Sequence, residues 1–414
     1  MGMIINIDKA LELRTDYNVC KEPLNKMLMD SQEAWDKQNP IDLLFVRGSI
    51  KSFQETYTSS IGFDKAFVET SDLGVGPIFN TAEGFSATYR TRTFQGSFII
   101  SLQTLEDGRI GQVKEDAKRF QERWHADIVD YAMKAIASGF GYEVTFGSGA
   151  NLSKLKLTSC DTTDGTINGV KNPLFSKAHT IVKRDGMTTA QINAAKQSNL
   201  FYGGVDLSGS DSAKISKLAD VINQVITVME NYKDDNGKRA SVVGSKKIVA
   251  GNDAHLKAAL NTALSLEMFN GVGQGNILNP AYKRAEVVTT PYLLDIDQCS
   301  SGKGFFIVDE AYNASNHGPE LTERVPFTLD VENMSRPKAI AYDGRQRFDI
   351  NSSSWRGIVY VYVGTPAGDS GEWDYVSNFT QITPDSTIVT PVSISGQPIE
   401  INDVTPPAET PVAP

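Results

Sequence analysis

The longest regular pattern in the chain is apolar at steps of three and four. In "RIGQVKEDAKRFQERWHADIVDYAMKAIASG", Ile110, Val113, Ala117, Phe120, Trp124, Ile128, Tyr131 and Ala135 recur at that spacing, which gathers them on one face of a helix. Gly139 follows as a stop signal. The pattern predicts one amphipathic helix over 109–138, a rod of about 45 Å at 1.5 Å per residue, with Phe120, Trp124, Ile128 and Tyr131 as its packing stripe. A second helix is predicted where Ile215, Leu218, Ile222, Val225, Met229 and Tyr232 repeat in the same way between "DLSGSDS" and "KDDNG". Behind it come a strand-like "KKIVAG", a helix over 253–269, the loop "NGVGQGNILNPAYKR" and the strands "AEVVTTPYLL" and "GFFIVDEA". Residues 200–325 therefore read as an α+β unit with its own core.

Elsewhere the period is two. Phe85, Ala87, Tyr89 and Thr91 alternate with Arg90 and Arg92 inside a Thr-, Phe- and Gly-rich stretch over 62–104, which predicts an extended ribbon with turns at "LGVGP" and "TAEG". The stretch from 326 to 363 alternates too and is rich in aromatics, as antiparallel strands are. Residues 8–58 read as helices and connecting loops, with "KEPLNKMLMDSQEAWDKQ" the clearest helix and Pro40 a break. Eight of the 17 prolines fall between Pro366 and Pro414, so the end of the chain reads as an extended tail.

Composition narrows the function. At 414 residues, 40% hydrophobic and 22% charged, the chain has the makeup of a folded protein of two or three domains. A net charge of −10 opposes tight binding of the body to a phosphate backbone. The cysteines, Cys20, Cys160 and Cys299, are odd in number and far apart, which spells neither a disulfide framework nor a zinc motif. No apolar run approaches the roughly 18 to 20 residues that cross a bilayer, and the amino terminus lacks the core of a secretory signal.

Candidate chemistry is sparse. The four histidines have no HExxH partner, and His179, in "NPLFSKAHT", suits a turn held by local hydrogen bonds better than a catalytic group. "NGVGQGN" lacks the GK[ST] of a phosphate loop, and "FGSGA" misses the nucleophile elbow. Asp295 and Asp297 would share a strand face and offer a weak metal pair. No cofactor is expected. A ribbon carrying Phe85, Tyr89, Phe94 and Phe98 is marginal alone, so its expected support is a neighbouring copy.

The order of these parts resembles the major capsid protein of tailed double-stranded DNA bacteriophages, the Hong Kong 97-type fold, in its contractile-tailed branch. The residues that carry the likeness are "RTFQGSFIISLQTLEDG", the long helix, "NPLFSKAHT", "KKIVAGNDAHLKAALNTAL", "GNILNPAYKRAEVVTTPYLL", "GFFIVDEAY" and "RFDINSSSWRGIVYVYVG", over roughly residues 10–363. The resemblance implies an α+β capsid fold with an N-arm over 1–61 and an E-loop over 62–103. A P-domain would cover 104–194 around the spine helix and return over 326–363, and an A-domain would cover 195–325, before a Pro-rich extension over 364–414. It implies inter-subunit contacts at Phe85, Tyr89, Arg90, Arg92 and Phe94, and an axial loop containing Gly271, Gly273, Gly275, Asn279 and Pro280. The implied function is a head shell of hexamers and pentamers around packaged DNA that is contacted nonspecifically. Its partners would be a separate scaffolding protein, a portal and a decoration protein, its place the virion, and its site of synthesis the host cytoplasm. No lysine lies between Lys65 and Lys114, so the shell is expected to be noncovalent. Two alternatives stand beside this: an encapsulin-like compartment, and a hydrolase using His179 or Asp295 and Asp297.

Overall fold

The structure is a computed structural model. It describes residues 4–6, 15–37, 39–63, 69, 76, 78, 81–101, 103, 107, 110–147, 152–184, 186–207, 212–271, 275–334, 339–364 and 380–381. In chain order the first half contains β1 (Ile4–Asn6), α1 (Thr15–Lys37), β2 (Val46–Ser49), β3 (Gln54–Phe63), β4 (Thr81–Arg90), β5 (Arg92–Ser101) and α2 (Ile110–Ser138). The connector that follows carries β6 (Val144–Phe146), β7 (Ser153–Leu155), β8 (Thr158–Thr162), β9 (Lys171–Pro173) and α3 (Thr189–Ala194). The second half contains β10 (Leu200–Tyr202), α4 (Ser212–Glu230), β11 (Lys246–Gly251), α5 (Ala254–Ser265), β12 (Met268–Gly271), β13 (Gly275–Leu278), β14 (Ala285–Thr290), β15 (Gly304–Asp309) and α6 (Glu310–Ser315). The last strands are β16 (Pro319–Met334), β17 (Ala339–Ser352), β18 (Ile358–Tyr362) and β19 (Thr380–Gln381). The architecture is α+β.

A long sheet runs β1-β16-β17-β5, with β2 parallel to the first part of β16. Helix α2 crosses it. Trp124 packs 4.7 Å from Phe327, Phe120 lies 5.0 Å from Phe98, and Tyr131 meets Phe348 edge-on at 5.3 Å. Gly344 and Gly96 face each other across β17 and β5 beneath Phe120. A Cβ on Gly344 would stand 2.9 Å from the Phe120 ring, so the close approach of helix to sheet needs glycine there. The opposite face of α2 is charged and carries the i,i+4 pairs Glu115–Arg119, Lys118–Glu122, Arg123–Asp127 and Asp130–Lys134. Helix α1 docks beside it, with Trp35 stacked on His125 at 4.4 Å and the Gln121 amide donating to the Leu28 carbonyl at 3.1 Å.

The second sheet has the order β14-β11-β15-β18-β10-β19. Here the expected boundaries change. Strand β18 belongs to this sheet, between β15 and β10, and not with the return strands over 326–363, because Ile358, Val359, Tyr360 and Val361 are all buried and an apolar run of that kind fits a strand covered on both faces. The return itself starts at Pro319, before 326. Nor does the 195–325 region keep a core to itself. One continuous cluster joins α2 to this sheet through Phe140, Phe175, Phe306 and Tyr360, whose rings lie 4.6 Å (Phe140–Phe175), 5.5 Å (Phe175–Phe306) and 4.8 Å (Phe140–Tyr360) apart. Helix α5 ends at Ser265 rather than 269, since Met268–Gly271 is drawn into a hairpin with Gly275–Leu278.

Residues 46–49 and 54–58, expected in helices and loops, are strands. The ribbon therefore begins at Gln54, ahead of 62, and pairs β3 with β4 from Gln54↔Arg90 to Phe63↔Thr81. "TAEG" lies inside β4 rather than at a turn. After Thr91 the chain leaves the ribbon, and β5 enters the long sheet, Arg92 opposite Phe348 and Ser101 opposite Ala339. A period of two holds on either side of this change of partner but slips phase at it, from Phe85, Ala87 and Tyr89 to Phe94 and Phe98, and the expectation of one element passed over that slip. The expected turn at "LGVGP", except Gly76, and nearly all of the tail over 364–414 lie outside the described residues.

Candidate functional site

His179 is built into the fold from all sides. Its Nδ1 lies 3.0 Å from Asp161 Oδ1 and its Nε2 3.0 Å from Asn199 Oδ1, while the ring stacks on Trp355 at 4.1 Å. Each partner is fixed in turn: the Asn199 amide donates to the carbonyls of Leu174 (2.8 Å) and Ile358 (3.2 Å), and Asp161 Oδ2 accepts from Asn172 Nδ2 (2.6 Å) and the Thr180 N–H (3.0 Å). Leu174 and Phe175 are buried beside it. With both nitrogens committed and the side chain 0% exposed, the ring has no edge to offer a substrate. It joins the connector to the start of β10 and to the loop before β18.

The other chemical candidates do not converge. Asp295 ends a 3-10 turn over Pro291–Asp295, and both it and Asp297 are exposed, so they do not share a strand face as expected. Among the described residues no group of three or more His, Cys, Asp or Glu could hold a metal ion. Burial pushes the Cys160 and Cys299 thiols far above their usual range, which suppresses the thiolate. No helix among the described residues is long and apolar enough to cross a membrane.

The ribbon residues need a correction of substance. Phe85 and Tyr89, expected to find their support on a neighbour, are buried by this chain itself, at 2% and 0% exposure. They form a small core with Ile50, Ala87, Cys160 and Val182. Tyr57 meets Tyr89 edge-on at 5.2 Å, the Tyr89 hydroxyl lies 3.1 Å from Ser353 Oγ, and Lys171 Nζ donates to the Ser86 carbonyl at 2.6 Å. Phe94 stacks on Phe348 at 4.5 Å and Phe98 on Tyr342 at 4.6 Å. The connector and β17 thus do the work assigned to a second molecule, because strands far apart in sequence meet under the ribbon root.

What stays open is the polar side of the same strands. The Arg90 guanidinium lies over the Phe53 ring, 5.1 Å from its centroid, and both terminal nitrogens of Arg92 donate to the Lys154 carbonyl at 3.3 Å. Thr93, Gln95, Ser97 and Ile99 of β5 are exposed, and β5 is the edge of its sheet. Nearby Asp349 accepts the Arg90 backbone N–H at 2.9 Å, and burial pushes its carboxyl up to about 6 despite that bond and the charge of Arg92. Phe53, Lys156, Arg347 and Asp349 had no signal in the sequence, since they reach this place from three separate segments.

In the β12–β13 hairpin Gly271 pairs with Gly275 at the far end, and Gly273 lies outside the described residues. Asn279 pins the base: its amide donates to the carbonyls of Ala263 and Leu266, both at 2.6 Å, and its Oδ1 accepts the Ala281 N–H at 2.9 Å. Pro280 is exposed, as are the paired Met268 and Leu278.

No family model matches the chain. No curated protein matches it in sequence. Solved structures do. The chain is similar to Mycobacterium phage Patience over 89% of its length and 94% of that chain, with 14% identity and a TM-score of 0.40. It is similar to the virus-like particle from Pyrococcus furiosus over 82% of its length and 98% of that chain, with 10% identity and a TM-score of 0.41. It is also similar to the capsid of Myoviridae phage XM1, over 77% of its length and 89% of that chain, with 11% identity and a TM-score of 0.38.

Proposed function

We propose that this chain is a shell subunit, the major capsid protein of a tailed double-stranded DNA phage head. One observation carries the reading: a ten-residue-stranded ribbon is fastened to the body at its root, while beside it β5 ends the long sheet as an edge strand with an exposed outer row. An edge of this kind gains its missing ladder by meeting another molecule. Repeated around a closed shell, such contacts are individually modest, and each copy is held by several at once. The net charge of −10 suits a container that encloses DNA without adhering to it. In this reading the β12–β13 hairpin lies near the symmetry axes, and a separate scaffolding protein, a portal and a decoration protein complete the head.

Electron microscopy of the full chain expressed with its scaffolding protein tests the proposal. Closed shells or capsomers are expected. A monomer under every condition would overturn it, and shells that copurify with an enzyme instead of DNA would turn the reading to a compartment. The ribbon is probed by replacing residues 64–80 with a short Gly-Ser turn, which leaves the described root contacts in place. That variant should fold and fail to close shells. Deletion of 82–96 is a poorer probe, because it removes Phe85, Tyr89 and Phe94 from the interior.

A further inference from the structure

A notch at the ribbon root gathers cations, and among the described residues of its lining Asp349 is the single acid. Arg90, Arg92 and Lys156 line one cavity of about 620 Å3 together with Phe53, Asp349 and Asn351. From β17 the Arg347 guanidinium also reaches Phe53, 5.9 Å from the ring centroid, so that Arg90 and Arg347 share one phenyl ring that is itself 45% exposed. The ion pairs found among the described residues involve other side chains. Arg347 Nε is buried with no hydrogen-bond partner. Arg92 spends its terminal nitrogens on one carbonyl at the long end of hydrogen-bonding distance. The one carboxylate in the wall, Asp349, has an oxygen engaged by a backbone N–H.

We propose that this notch receives a carboxylate-bearing segment of a second copy of the chain. The inference rests on the shell reading, which supplies the second copy. Guanidinium forks match a carboxylate with two parallel hydrogen bonds, and a copy with 50 acidic against 40 basic residues presents carboxylates in excess. A duplex would require a basic stripe along a face, whereas these cations converge on one concavity. Phe53, in the wall of the notch, lies against the Arg90 guanidinium at 5.1 Å and the Arg347 guanidinium at 5.9 Å, contacts that restrict both groups before binding and lower its ordering cost.

The test mixes isotopically light and heavy full-length chains, lets them assemble, and couples carboxylates to amines with a carbodiimide. Mass spectrometry should find Lys156 joined to an Asp or Glu peptide of the opposite isotope, and a Lys156→Arg chain should lose that product. In parallel, a chain with Arg90→Ala, Arg92→Ala and Arg347→Ala should keep its circular dichroism and associate at least tenfold more weakly, with a flatter dependence on salt. Shells in which Lys156 couples only to its own Asp349, or to nothing, would overturn the notch and leave the shell reading intact. A wild-type chain that never associates would overturn both. Unchanged assembly of the triple variant with lost retention of DNA on a filter would also overturn the proposal, in favour of a phosphate ligand.

Discussion

Strands β15 and β5 each carry four large apolar residues, Phe305, Phe306, Ile307 and Val308 in the one and Phe94, Phe98, Ile99 and Ile100 in the other, yet every residue of β15 is buried while β5 alternates, with Thr93, Gln95, Ser97 and Ile99 in solvent. The sheet around β15 is closed: β11 and β18 flank it, and α4 and α5 contribute to the same core. Among the described residues the long sheet ends at β5. A strand buried on two faces specifies its neighbours by packing, and one buried on a single face specifies only half of its surroundings. Under the proposed shell reading, the difference separates what this chain completes alone from what it offers to a second copy.

The most severe way to break the contrast is in the shared core. Tyr360→Ala or Phe306→Ala removes a fully buried ring and should cost about 3–5 kcal/mol, whereas Ile99→Ser in β5 should stay within about 0.5 kcal/mol. Urea unfolding of the three variants gives the comparison, and similar costs would erase it.

A smaller effect asks where α1 belongs. His125 is buried beside Trp35 with its Nε2 2.9 Å from Gln32 Oε1, and burial holds its value down to about 4. Above pH of about 6.5 the ring is neutral in both states and the seam has its full stability. As pH falls toward 4 the unfolded chain takes up a proton that the folded one refuses, so on the order of 2 kcal/mol should be lost over that window. His125→Gln should flatten the profile; an unchanged profile would detach the seam from this histidine.

Gly344→Ala tests the crossing of α2 over the open sheet. With its Cβ 2.9 Å from the Phe120 ring, it should cost about 1–2 kcal/mol, and Phe120→Leu in the same chain should recover part of the loss. The smallest change is Asp349→Asn. The Asp349 value is raised to about 6, so the carboxyl's favourable contribution is complete below pH of about 4 and is lost as pH rises through 6. The amide keeps an acceptor for the Arg90 N–H and should melt higher at pH 7, by about 1 kcal/mol of stability, with no gain at pH 4. A gain at both pH values would show that packing rather than charge is responsible.

Helix α2 was legible in the sequence because one face is apolar, the other is charged and Gly139 stops it. The same reasoning misled at the ribbon. Phe85, Ala87, Tyr89 and Thr91 fall on odd positions and Phe94 and Phe98 on even ones, so the alternation slips phase after Thr91; the slip marks the joint, but a period of two does not reveal that β4 pairs with β3 while β5 pairs with β17. Arg90 and Arg92 could be singled out as exposed cations on one strand run. Phe53, Lys156, Arg347 and Asp349 could not, because only the meeting of the ribbon, the connector and β17 brings them together. For His179 the local turn was legible, whereas Trp355 and Asn199 were not.

Thr91 is the one residue between β4 and β5 that is in neither strand. Its N–H donates to the Phe53 carbonyl at 3.1 Å, its hydroxyl donates to the same oxygen at 3.3 Å, and it is 2% exposed. Ribbon and sheet are therefore in mechanical series through a clamped joint. A load that tilts the ribbon has little slack to absorb it there, and it passes as torque into β5, whose Phe94 and Phe98 bear on α2 at Tyr131 and Phe120. The joint makes the ribbon a lever whose short arm is α2.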